Sequence, residues 1–244
     1  MKSTSIAFLV LLARAACWGA DSTASLFQQG VEAYRAGDYV RASTDFHKAA
    51  ARRPASGTLQ NFGNAQWQQG ETGRAILAWE QALWLDPFNR SARGNLRFAR
   101  RTAQLDAPDL AWYEVVSSWL PVNSWAWIAG LSFWLAIAMT MLPSIFRWRK
   151  AAWQQAGAAL GLAIFLLSVP AHLGVDCRSR IGFVLQKETS LRLTPTDEAQ
   201  VITRLPSGEP GRFERMRGRF VLIRTGRSLG WVQQDEFGLT CPNN

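Results

Sequence analysis

The sequence predicts a multidomain chain: all-α helical repeats, then a two-helix transmembrane hairpin, then a small all-β barrel. Three observations lead there. Small and aromatic residues recur at a fixed offset in the first half, two central stretches carry no charge, and beyond them apolar residues come in short runs cut by turn residues. A length of 244 residues leaves room for more than one domain. The formal charge of +9 is spread along the chain, so no segment has the basic stripe that nucleic acid requires.

Residues 1–20 read as a signal peptide: Lys2, an apolar run from Ile6 to Leu12, then small residues. Ala13-Arg14-Ala15 fits cleavage after small residues. Cys17 offers the alternative of lipidation, although Arg14 stands where a lipobox places leucine.

Residues 21–106 form the repeat region. Gly30, Gly37, Ala42, Phe46, Ala49 and Pro54 recur 33 residues later as Gly63, Gly70, Ala75, Trp79, Ala82 and Pro87. Small residues let two antiparallel helices approach, the aromatic fills the space between them, and the proline ends the second helix. A third helix from Asn89 restarts the pattern at Gly94-Asn95 without completing it, as the solvating cap of a short solenoid would. On these residues, with Gly37-Asp38-Tyr39 as a turn and Trp84-Leu85-Asp86-Pro87 as a close, the region resembles tetratricopeptide repeats. The resemblance implies a peptide-binding face built from the first helix of each unit. Carried over residue by residue, that face holds Phe27, Val31, Tyr34 and Arg35, then Gln60, Asn64, Trp67 and Gln68, then Asn95. Arg90, Arg93 and Arg97 share one side of the cap helix, either as a solvated face or to capture an acidic partner.

Residues 107–124 mix proline, acids and bulky apolars such as Leu110, Trp112, Tyr113 and Trp119, which suits an interfacial linker along the headgroups. Residues 125–175 are the hairpin. Trp125 to Phe146 and Ala156 to Val175 contain no Asp, Glu, Lys or Arg, and at about 1.5 Å per residue each spans a hydrocarbon core of about 30 Å. Arg147, Arg149 and Lys150 in the turn place that turn in the cytosol and both flanks outside. Gly157 and Gly161 allow close contact, with the partner helix near Gly130 or with a second copy.

Residues 176–244 are the barrel, with strands expected at Ile181 to Leu185, Ser190 to Leu193, Gln200 to Leu205, Gly211 to Met216, Phe220 to Arg224 and Leu229 to Val232. Leu191-Arg192-Leu193-Thr194-Pro195, Leu205-Pro206-Ser207-Gly208 and Gly230-Trp231-Val232 together resemble a bacterial SH3-like domain. Phe220 stands where that family often has tryptophan, and Trp231 reads as core. In such folds the chain ends lie close, so the resemblance implies a disulfide between Cys177 and Cys241 outside the cytosol.

His47 and His172 are the only histidines, and neither has a second histidine or paired cysteines nearby in sequence, so no catalytic residue, metal site or cofactor is expected. The order of parts is similar to the Bat-type aerotolerance proteins of bacteria. That resemblance implies a two-pass protein of the bacterial inner membrane with its soluble domains in the periplasm, acting as a non-catalytic scaffold. Its partners would be other membrane or periplasmic proteins, including ones with von Willebrand factor A domains. The alternative is a cell-wall targeting protein that contacts peptidoglycan through the SH3-like domain.

Overall fold

The computed structural model describes residues 23–146 and 152–241. The expected signal peptide, Cys17 and the basic turn at Arg147, Arg149 and Lys150 lie outside the described residues. Five helices come first: α1 (residues 23–35), α2 (Tyr39–Arg52), α3 (Ser56–Gln68), α4 (Thr72–Leu85) and α5 (Arg90–Ala103). The 33-residue period has a direct structural meaning. A Cβ on Gly30 would lie 2.8 Å from the Phe46 ring, and one on Gly63 would lie 2.6 Å from the Trp79 indole nitrogen. Each glycine thus admits the aromatic of the helix after it. Gly37 (φ 80°) and Gly70 (φ 78°) make the same left-handed turn in each unit, a conformation that disfavours other residues. Asp38 caps α2 by accepting from the Arg41 N–H at 3.0 Å, and Asn89 caps α5 by accepting from the Ala92 N–H at 3.0 Å.

The linker contains a short helix, α6 (Trp112–Ser117), whose Glu114 side chain closes its own N-terminus by accepting from the Ala111 N–H at 2.8 Å. Two long helices follow, α7 (Val122–Ile145) and α8 (Ala152–Ser179), both long and apolar enough to cross a membrane. They pack antiparallel. Gly161 brings α8 against Ser132 and Ala136 of α7, and Gly157 faces Met139, so the close contact lies further along α7 than Gly130, where a Cβ would meet nothing. At its far end α8 passes α6, where Gly174 faces the Tyr113 backbone and a Cβ would lie 2.9 Å from Ser117 Cβ.

Only Arg180 separates α8 from the first strand of an antiparallel seven-stranded sheet: β1 (Ile181–Val184), β2 (Glu188–Arg192), β3 (Val201–Pro206), β4 (Pro210–Arg217), β5 (Phe220–Arg224), β6 (Leu229–Gln233) and β7 (Phe237–Leu239). The order across the sheet is β3-β2-β6-β5-β4-β1-β7. The first six match the expected strands and β7 is additional, entered through a 3-10 turn at Gln234–Glu236. Val184, Leu191, Leu205, Val221, Ile223, Val232 and Phe237 form its core; Trp231 and Phe220 are buried too.

The two soluble parts were expected as separate domains around an anchor, and they are docked onto each other. Ile181 and Phe183 of β1 belong to the same buried cluster as Ile76, Trp79 and Leu96 of the helices. Glycines make the approach possible: Gly208 meets Ile76 and Leu105, Gly238 meets Leu77, and Gly73 meets the β1 end. The Gly73 N–H donates to Ser207 Oγ at 2.8 Å, and Gln81 Nε2 donates to the Leu239 carbonyl at 3.1 Å. A Cβ on Gly73 would crowd the Val184 carbonyl, lie 2.9 Å from the Leu185 carbonyl and 2.7 Å from Ser207 Oγ, and two of these three are backbone that cannot swing aside. Gly73→Ala is therefore expected to destabilise the full chain by about 1–3 kcal/mol and to loosen the docking. Hydrogen exchange in detergent would show it as faster exchange on both α4 and β1, and unchanged exchange there would refute the wedge.

A second clamp ties the linker to the sheet. Glu114, 1% exposed, receives a two-pronged bond from Arg212 of β4: Nη1 to Oε1 at 2.6 Å and Nη2 to Oε2 at 3.1 Å. Burial alone would raise the Glu114 carboxyl; the bonds from Arg212 and the Ala111 N–H outweigh it and hold the group below the usual glutamate range. The expected Cys177–Cys241 bridge is not formed. Cys177, on α8, turns to Tyr113 of α6, and with burial and Glu114 this pushes the phenol of Tyr113 upward. Cys241 follows β7, and burial raises its thiol.

Candidate functional site

The first helix of each unit, α1, α3 and α5, lines one concave face, and on it opens a groove of about 300 Å³. Five of the nine residues expected on that face from the sequence meet in it: Tyr34 from α1, Asn64, Trp67 and Gln68 from α3, and Asn95 from α5. The helical period explains the set, because Asn64 and Gln68 are four residues apart and Trp67 is one turn from Asn64. Two further residues complete it, Trp79 as the floor and Phe98 as a wall. Trp67 is the central aromatic, its ring centroid 5.9 Å from both Trp79 and Phe98, edge-on to the latter.

Asn64 fixes the polar end. Its Oδ1 accepts from Trp79 Nε1 at 3.0 Å and from Asn95 Nδ2 at 2.7 Å, which settles the orientation of its amide and aligns the two asparagines across the groove. Trp79 Nε1 is shared with the Gln60 carbonyl at 3.2 Å. The result is an aromatic trough beside ordered amides. Amides of this kind pair with an extended peptide backbone, while the rings cover an apolar side chain.

Other expected residues are elsewhere. Arg35 is exposed and does not line the groove. Arg93 and Arg97 line a separate depression with Arg100, Arg101 and Asp106, and Arg93 Nη2 donates to the Pro87 carbonyl. Asn95 and Phe98 share one flank of α5, which rotates Arg93 and Arg97 to the other. Phe27 and Val31, also expected on the face, pack instead with Phe46 and Ala42. Phe98 could have been found from its spacing of three from Asn95; Trp79 reads in sequence only as packing. A larger space of about 680 Å³ lies where α2, α3 and α4 meet Leu185, a wedge left by the docking of helices on sheet. His47 borders it with its ring leaning on Phe62 at 5.5 Å, and His172 bonds the Ser168 carbonyl at 2.9 Å.

No family model matches the chain, and no curated protein matches it.

Proposed function

We propose that the chain is a non-catalytic scaffold of the cell envelope: a tetratricopeptide-type unit that offers a groove for an extended peptide, held beside an SH3-like unit on the periplasmic side of the inner membrane. The observation that carries this reading is the groove of Tyr34, Asn64, Trp67, Gln68, Asn95 and Phe98, in a body docked to the sheet and to the end of the apolar hairpin. The repeated pairing of Gly30 with Phe46 and Gly63 with Trp79 supports the repeat class. For the SH3-like unit, Arg192 of the Leu191 to Pro195 element pairs directly with Trp231 of Gly230-Trp231-Val232, which brings its two motif segments together. Wall targeting is less well supported, because Trp231 is buried and leaves no aromatic platform.

Direct packing of the segments before and after the hairpin requires both on one side of the bilayer, and the basic turn residues favour the periplasm for that side. The resemblance to Bat-type proteins makes other membrane proteins the natural partners, with assembly or stress tolerance as the process. The test is gentle detergent extraction of tagged full chain. Wild type is expected to bring down partner proteins that a double Gln68→Ala, Phe98→Ala variant loses, at little change in melting temperature, because both side chains line the groove and are exposed. Identical partner sets would overturn the groove as the binding surface, and cytosolic signal from a reporter fused after Asn244 would overturn the orientation.

A further inference from the structure

Below the groove, where α4, α5, the linker and the end of α8 converge, lies a separate cavity of about 620 Å³. Its charged lining is uneven: Arg93, Arg100 and Arg178 against the single carboxylate of Glu80. Glu80 is already committed to Arg100 in an ion pair. Arg178 is the telling residue. Its Nη1 donates to Ser117 Oγ at 3.2 Å and its guanidinium lies 5.1 Å over the Trp84 ring, which together hold it in place. Two carboxylates, Glu80 and Glu114, act on it from beyond ion-pair distance, and each is bonded to another arginine, Arg100 and Arg212 respectively. A half-buried, oriented guanidinium with donors to spare is a built anion site.

Its height relative to the bilayer decides which anion. The contact of Gly161 with Ser132 and Ala136 sets the register of the hairpin, and in that register the level of Gly174 corresponds to the start of α7. Arg178 lies about one helical turn beyond, on the same side as Trp119, which precedes α7. That is headgroup depth. Trp119 and Phe88 both line the cavity yet remain 61% and 64% exposed, as side chains that dip into the interface would be.

We infer that this cavity binds the phosphate of an anionic phospholipid, with Arg178 and Arg93 as the recognising cations and Trp119 and Phe88 resting among the glycerol and upper acyl carbons. The site rests on α7 and α8 lying in the bilayer and is independent of the peptide groove.

Full-length protein is assembled into nanodiscs of phosphatidylcholine with a minority of phosphatidylglycerol, and native mass spectrometry reads the lipids that stay bound. Wild type is expected to retain phosphatidylglycerol in excess of its share. Arg178→Gln should retain about five-fold less, the effect of one juxtamembrane cation. Arg93 is exposed, so Arg93→Gln leaves the fold intact and should weaken retention as well, whereas Arg217→Gln, outside the cavity, should not. Equal retention by wild type and Arg178→Gln, or no preference for phosphatidylglycerol, overturns the site. Displacement of the lipid by millimolar inorganic phosphate would make it a site for free phosphate and overturn the lipid assignment. Failure to enter the discs at all would instead overturn the spanning hairpin.

Discussion

Replacing Glu114 with alanine is expected to cost about 3 kcal/mol and to free the linker from the sheet. Removing one partner of a buried ion pair strands the other, and the usual cost is about 3–5 kcal/mol. The low end applies because the Arg212 side chain is 32% exposed and water takes up part of its charge. The loss is read by thermal melting of the full chain in detergent and by protease cutting between α5 and α6. A variant that melts with wild type and resists cutting would show that the clamp is idle. The pH dependence has a definite sign. The folded carboxyl titrates below its unfolded counterpart, so its contribution is complete above the ordinary glutamate range near about 4.3 and disappears as pH falls through the lower folded value. The stability difference between wild type and Glu114→Gln should therefore be largest near neutrality and shrink below pH of about 4; a gap constant across that range would refute the linkage.

Trp79→Ala is the other large effect, expected at about 3–5 kcal/mol. Trp79 is only 2% exposed, fills the space that Gly63 leaves, and donates to both Gln60 and Asn64. Its loss opens a cavity between α3 and α4 and removes the floor of the groove at once. Trp79→Phe separates these roles. It keeps most of the packing and removes the N–H, so it should cost about 1 kcal/mol while leaving Asn64 held by Asn95 alone. Denaturant unfolding followed by far-UV circular dichroism gives both numbers. A Trp79→Ala protein as stable as wild type would contradict the packing described for the repeat.

What could be read in the sequence was what is local. The Gly63 and Trp79 pairing lies within one helical hairpin and repeats, so its period exposes it. The hairpin is legible because α7 and α8 are apolar over lengths sufficient to cross a membrane, and α7 starts within a few residues of Trp125, where the span was expected to begin. The six longer strands fall on short apolar runs bounded by turn residues. By contrast β7 is Phe237-Gly238-Leu239, too short for a period to show. The docking was hidden for another reason: Gly73 and Ser207 are far apart along the chain, and a glycine that admits a strand end looks the same as one in any turn. Glu114 likewise reads as one polar residue in an interfacial stretch, and only the fold brings Arg212 to it. Five of the seven residues that line the groove, Tyr34, Asn64, Trp67, Gln68 and Asn95, were legible through the repeat pattern. The rotation of α5 that turns Arg93 away and Phe98 inward depends on how Leu96 and Ala99 seat against α4, a matter of packing between helices.

The shared core of α4 and β1 also dictates an order of assembly. Helices α1 to α5 are complete early in synthesis, but the face of α4 that carries Gly73, Ile76 and Leu77 is finished only by residues from Ile181 to Leu239, which follow two long apolar helices. Until that tail arrives, the early product holds an open apolar seam. Closing it over so long an intervening stretch is a slow, high-contact-order step. The nascent protein thus passes through a half-built stage that lasts until the segments beyond α8 have been made, and the order of its segments fixes when that stage ends.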